Sequence, residues 1–344
     1  MRLREKLERG VYSEAMESFT LYKICRIKNK WITDAMSEIL CTFLLALFVY
    51  ASGAQDILTR GASSSPSGRA LASGVGLGLA VYCGFNASGA CVNPCIALMF
   101  CLTGKLQWKK WPVYVICEFI GAFLAACLTY GIYNELINEF DGGQRQVYGM
   151  NSTSHIFTSY PLDGISKRSG FFDVFVGCGL LTSTTCMLID PYNAKTASGV
   201  IPVALVFLLY GIIMSFGVHT GAAINLTIDF SGRFFAYIIG YGSEVYTRAD
   251  YWFWVPPVAC FCGTITFVTV YQLMIGNHLP MDEEKECDDV NSDVSKIKQI
   301  QNEFLQCYTT NNGNHVTNNS HVSDSDHMTS TDTLNTVSTE CSKL

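Results

Sequence analysis

Long apolar runs separated by short polar ones set the layout of this chain. After about 30 polar residues of mixed charge, the first apolar run covers residues 32–54. That is long enough for a bilayer-crossing helix, which needs about 20 residues. Further runs cover 70–85, 111–133, 170–189, 199–218 and 251–275. The second is short and rich in glycine (Gly74, Gly76, Gly78), as close helix packing favours. Two more segments, 94–102 and 226–239, are apolar but too short to cross. The pattern therefore predicts an all-α membrane protein with six transmembrane helices and two re-entrant half-helices.

Each half-helix has a clear start. The first follows Ser-Gly-Ala-Cys-Val-Asn-Pro-Cys, 88–95. Asn93 is a good N-cap, and Pro94 suits the first helical position, where its missing N–H costs nothing. The second follows Thr-Gly-Ala-Ala-Ile-Asn-Leu-Thr, 220–227, with Asn225 in the same place. Three spans per half make the halves enter from opposite sides, an inverted repeat over about 32–135 and 170–276. The segmentation is then a tail at 1–31, a channel domain at 32–280 and a tail at 281–344. The last is rich in Asp, Glu, Ser, Thr and Asn, a composition that predicts disorder. Basic residues in the N-terminal tail, at Lys105–Lys110 and at Lys195 place both termini in the cytoplasm.

Composition narrows the function. Hydrophobic residues make up 49% and charged residues 15%, against about 25% charged in soluble domains. The net charge of −6 falls largely in the C-terminal tail and argues against nucleic-acid binding. The charged N-terminus does not read as a cleavable signal. The 15 cysteines are scattered without CxxC pairs and read as small apolar packing residues. No nucleophile–base pair or metal-ligand set appears, so neither an enzyme nor a cofactor or metal is expected.

In combination the motifs resemble the major intrinsic protein family, and within it the aquaglyceroporin branch. The resemblance rests on SEILCTFLL (37–45), GACVNPC, CEFIGAFLAACLTYGIY (117–133), FTSYP (157–161), GAAINLTIDFSGRFF (221–235), GYGSEVYTRADYWFWVPPVACFCG (240–263) and MIGNHLP (274–280). It implies an aquaporin-like channel whose half-helices meet at mid-membrane, one pore per subunit, in a homotetramer of the plasma membrane. The implied cargo is water and small neutral solutes such as glycerol or urea. Facing helix N-termini would put positive dipole ends at the midplane, and Asn93 and Asn225 would add amide donors. That field opposes cations and protons.

Several positions depart from the family pattern. The first box reads Asn93-Pro94-Cys95, with Cys for Ala; the second reads Asn225-Leu226-Thr227. Leu226 lacks the fixed φ of proline. The four outer-filter positions carry over as Ser73, Ile213, Ala222 and Ile228, with isoleucine where relatives hold arginine. Such a filter has no guanidinium fork and should reject cations less well. Val174 stands where relatives usually carry Glu or Gln to brace the second loop, matching Glu38 in the first half. Glu118 or Asp173 would supply part of that support. Asp229 is the residue that marks glycerol channels. Cys91 and Cys95 are candidates to line the pore, and His219 either gates it or packs beside it.

Three readings compete: a passive channel, a non-conducting adhesive or regulatory member, and a coupled transporter. The last needs ionisable midplane groups, and only Glu38, Glu118 and Asp173 lie well inside spans. Asn151-Ser152-Thr153 in the long outer loop is a glycosylation sequon. The terminal Ser342-Lys343-Leu344 could address a receptor or occupy a sheet-edge binding module.

Overall fold

In the computed structural model the described residues are 25–280, with 295, 296, 298 and 299. The tail call at Ser342-Lys343-Leu344 lies outside them. The chain divides into a unit ending at Asn277 and another from His278; the first is described here. Its α-helices are α1 (Lys30–Leu58), α2 (Pro66–Gly84), α3 (Pro94–Leu102), α4 (Trp111–Asp141), α5 (Lys167–Leu188), α6 (Ile201–Phe216), α7 (Leu226–Ala236), α8 (Glu244–Tyr251) and α9 (Val255–Met274). No strand occurs among the described residues.

Among the described residues four stretches are long and apolar enough to cross a membrane: Lys30–Leu58, Trp108–Asp141, Lys167–Leu188 and Glu244–His278. Helix α6 is apolar but has 16 residues, and α2 has 19 and carries Arg69. Helices α3 and α7, with 9 and 11 residues, are the two half-helices. The long apolar helices are those of a multi-pass membrane protein.

The repeat shows in the packing. Helix α1 lies against α2 and α4; α5 lies in the same way against α6 and α9; α2 meets α6 and joins the halves. Gly121 of α4 sits against the Ile39 carbonyl of α1, and Gly263 of α9 against the Phe175 carbonyl of α5. A Cβ at either position would overlap backbone, so the same backbone-to-backbone approach serves both halves.

Helix ends differ from the hydropathy reading where polarity and helicity part company. The third run was expected to stop at 133, but α4 continues to Asp141 before Gly142 caps it at φ 66°. Its last two turns are held by partners rather than by lipid. Asp141 pairs with Arg145 at 2.8 Å and accepts from Thr153 Oγ1 at 3.1 Å. Helix α7 stops at Ala236, short of 239, because a wide turn at Tyr237–Tyr241 carries Gly240 at φ 107°. Helix α9 starts at Val255 rather than near 251. Arg248 leaves helical geometry, and Ala249 and Asp250 are left-handed, before a 3-10 turn at Trp252–Trp254.

Charged contacts separate the two ends of the bundle. Lys30 and Lys110 both pair with Asp34 at the N-terminal end of α1, each at 2.7 Å. Asp56 lies at the other end of the same helix, near the loop that carries Asn151 and His155.

Candidate functional site

Two loops that begin with the same left-handed Gly-Ala pair lead into the half-helices. Gly89 and Ala90 have φ of 93° and 49°; Gly221 and Ala222 have 70° and 56°. Left-handed backbone is cheap for glycine and costs roughly 1–2 kcal/mol for alanine. Other bonds must therefore hold each loop.

In the first half Glu38 does this. Its fully buried carboxylate accepts from Cys91 N at 3.1 Å and Val92 N at 3.0 Å. Val92 is itself left-handed, with φ 47°, which turns its N–H toward Glu38. In the second half the buried Val174 has nothing to offer. There the Ile224 N–H closes onto the Ala222 carbonyl at 2.7 Å, inside the loop itself. Thr220 Oγ1 donates to Asp173 at 2.6 Å, so Asp173 supplies part of the bracing. Glu118 does not: it is fully buried and neither carboxyl oxygen makes a hydrogen bond of normal geometry.

The asparagines cap and cross-link. Asn93 Oδ1 accepts from Cys95 N at 3.0 Å, while its amide donates to the Ile224 carbonyl at 2.9 Å. Asn225 reciprocates, donating to the Val92 carbonyl at 2.7 Å. Its cap is looser, with Ile228 N at 3.5 Å. The Thr227 hydroxyl competes for the same Oδ1 at 2.8 Å, and Leu226 does not preset the first turn as proline would. Each amide uses one hydrogen on the opposite loop. The second N–H of each remains as a donor, since an amide nitrogen carries two.

A cavity of about 790 Å³ runs past both asparagines. One end is lined by Lys105, Leu106 and Ile189, the other by Asp56, Arg69 and His155. Between them, one wall is apolar and helical, with residues four apart on α2 (Leu77, Val81) and on α6 (Leu205, Leu209, Ile213). The facing wall is the two polar loops. Ser73, Ile213, Ala222 and Ile228 all line this space, as do Cys91 and Asp229. Pro94, Cys95, Leu226 and Thr227 are buried behind the wall. His219 is outside it, 46% exposed, with Nδ1 3.5 Å from Asp173.

The end with Arg69 is a network of arginines. Asp229 is fully used: Oδ2 accepts from Arg233 Nε at 2.7 Å, and Oδ1 from Ser159 N and Oγ at 2.8 and 2.6 Å. Arg233 is fully buried, donates also to the Val245 and Ser159 carbonyls, and lies over the Tyr160 ring. This pair anchors the loop at 157–161 and brings no net charge. Partial burial, then the Arg248, Arg69 and Arg233 charges, push the His155 imidazole down to about 3. It is neutral at pH 7.

Sequence reasoning overlooked Arg69. It lies one helical turn from Ser73 on the same face of α2, and Ser73 Oγ donates to its carbonyl at 3.0 Å. Four-residue spacing from Ser73 was the available signal. The absence of a metal-ligand set was also read from the sequence alone. The fold brings Cys95, Cys178 and Cys260 together, with all three sulfurs within 4.8 Å of one another.

Six helices, two half-helices capped head to head and a lined passage between them define a membrane channel. The Major intrinsic protein family profile matches residues 26–271. The chain belongs to that family, whose members are channels and not enzymes. It is 35% identical over 291 residues to Aquaporin-8 of Milnesium tardigradum, covering 82% of this chain and 84% of that one. It is 31% identical over 286 residues to human Aquaporin-10, covering 82% and 95%. It is 37% identical over 244 residues to the probable aquaglyceroporin-2 of Gibberella zeae, covering 70% and 72%. Among solved structures, the aquaglyceroporin of Plasmodium falciparum superposes with a TM-score of 0.63 at 24% identity, over 70% of this chain and 95% of that one. It resembles this chain in fold.

Proposed function

We propose that this channel for water and small solutes such as glycerol selects at its outer end with Ser73, Ile213, Ala222 and Ile228, and rejects cations there through Arg69. The observation that carries the reading is the two-sided passage. A polyol has an apolar C–H edge and a hydroxyl edge. Leu77, Leu205, Leu209 and Ile213 suit the first, and the loops with Asn93 and Asn225 suit the second. Ile228 supplies bulk but no donor, and the guanidinium comes instead from α2. Among the described residues no carboxylate lies within hydrogen-bond reach of Arg69, although Asp56 lines the same end; its hydrogen bond goes to the His155 carbonyl at 3.5 Å. A cation there raises the barrier to other cations, as the dipole ends do at the midplane.

The same reading puts both tails in the cytoplasm, with the Lys105 end facing it and the Asn151 sequon outside. Plasma-membrane residence, glycosylation at Asn151, a homotetramer and a tail partner are proposed with it, on the family resemblance.

Vesicles carrying the chain should swell faster in glycerol, urea and water gradients than empty ones. Equal rates for folded, inserted protein would favour a non-conducting member. Arg69→Ala should raise cation conductance, and adding Ile228→Arg should lower it again. Conductance unchanged in both variants would refute the role given to Arg69.

A further inference from the structure

Three cysteines converge where half-helix α3 meets α5 and α9. Cys95 is the second residue of α3; Cys178 and Cys260 face it from the two long helices. All three are fully buried, free thiols. Their sulfurs lie within 4.8 Å of one another, and the Thr264 hydroxyl stands 3.7 Å from Cys178 Sγ. Sulfurs around a metal at about 2.3 Å are roughly 4 Å apart, so rotation of the side chains closes the set without moving a helix.

We propose that Cys95, Cys178 and Cys260 form a site for one soft, thiophilic cation, and that its occupancy restrains the pore loop beside it. Softness follows from the donors: three sulfurs and, among the described residues, no carboxylate or imidazole. A cuprous ion is satisfied by the three sulfurs. Zinc wants four ligands and would have to recruit Thr264 as the fourth. Cys95 lies in the first turn of α3, where the helix dipole favours the anionic thiolate that binding requires. Binding releases the thiol protons to solvent and involves no electron transfer, because the ion enters and stays in one oxidation state.

The coupling to the pore follows from what the thiols do without metal. Cys178 Sγ donates to the Ile224 carbonyl at 3.8 Å, and Cys260 Sγ to the Ala223 carbonyl at 3.5 Å. Ala223 and Ile224 line the passage, and the Ile224 carbonyl also receives the Asn93 amide. These S–H groups are part of what braces the second loop in place of a carboxylate at Val174. A bound cation removes both donors and sets thiolates against the two carbonyls. The loop must move, and the passage moves with it. Metal retention is independent of the channel reading; the effect on flow rests on it.

The test uses the full chain in vesicles under reducing conditions, loaded with cuprous ion or with zinc and washed with a weak chelator. Metal analysis should find about one ion per chain for the native sequence and for the Cys262→Ser control, whose cysteine is exposed. Retention should be lost in Cys95→Ser, Cys178→Ser and Cys260→Ser. X-ray absorption should show a sulfur shell at about 2.3 Å, with three scatterers for copper and an added oxygen for zinc. Loading should slow glycerol swelling several-fold in the native and control proteins. Equal retention by native protein and the triple serine variant would overturn the site. So would a disulfide between any two of the three, seen by mass spectrometry. If the serine variants fail to fold, the native spectrum decides alone, and a shell without three sulfurs overturns the proposal. Retention with unchanged glycerol and water flow would overturn the coupling to the pore.

Discussion

Glu38 offers the sharpest test of how the first loop is held. Replacing it with glutamine keeps the shape and one acceptor, but the amide NH2 cannot accept a hydrogen bond. One of the N–H groups of Cys91 and Val92, now 3.1 and 3.0 Å from the carboxylate, then faces a donor. A buried donor left unsatisfied costs about 1–3 kcal/mol, and bonds to a charged acceptor are at the upper end. The loop also stores left-handed backbone at Ala90 and Val92, which relaxes once the clamp opens. The expected loss is about 2–3 kcal/mol, a fall in thermal midpoint of roughly 5 °C or more. Thermal unfolding in detergent gives the midpoint, and vesicle swelling gives the permeability, which should fall with it. Glu118→Gln is the internal comparison. Its carboxyl oxygens make no normal hydrogen bond, so the isosteric amide should cost far less. If Glu38→Gln melts and conducts like the native chain, or if Glu118→Gln is the more damaging, the bracing argument is wrong.

Other outcomes follow from the same contacts. A small methanethiosulfonate reagent should slow swelling through Cys91, which lines the passage, and Cys91→Ser should abolish that block; persistence of the block would assign it to another thiol and refute the role of Cys91. His155, pushed down to about 3, binds fewer protons folded than unfolded between about pH 6.5 and pH 3. Stability should therefore fall as pH drops through that window, and His155→Gln should flatten the thermal-midpoint profile there. Gly232 lies against the Phe157 carbonyl, inside the distance a Cβ needs, so Gly232→Ala should yield little folded protein. Gly131 has open space around its Cβ, so Gly131→Ala on α4 should fold and gain up to about 1 kcal/mol, read from expression and thermal midpoint.

What the sequence made legible was local. The start of α3 at Pro94 follows from Asn93 and Pro94 alone, and its end at Leu102 follows from the change to Thr103-Gly104. The positions Ser73, Ile213, Ala222 and Ile228 could be placed on the passage because motifs fix their register. Helix ends outside the bilayer were not legible. Hydropathy reports where lipid stops, while α4 continues on polar residues secured by Arg145 and Thr153. Side-chain direction was not legible either. Cys91 and Cys95 are four apart, yet Cys91 lines the passage and Cys95 faces Cys178, because Cys91 belongs to the loop, followed by left-handed Val92, and Cys95 to α3. Convergence of Cys95, Cys178 and Cys260 depends on the packing of three distant elements, which no spacing rule encodes.

The crossed asparagine bonds also set an order of events during synthesis. Asn93 and the Ile224 carbonyl are 131 residues apart, and Asn225 and the Val92 carbonyl 133. At about 5–20 residues per second, the ribosome needs on the order of ten seconds to supply the second partner. Throughout that interval α3 is a short helix beside the membrane with its head unmatched. Neither half can reach its final form alone, and both do so in one late step. The interval in which α3 lacks its partner therefore opens after the second span has been made and closes before the sixth.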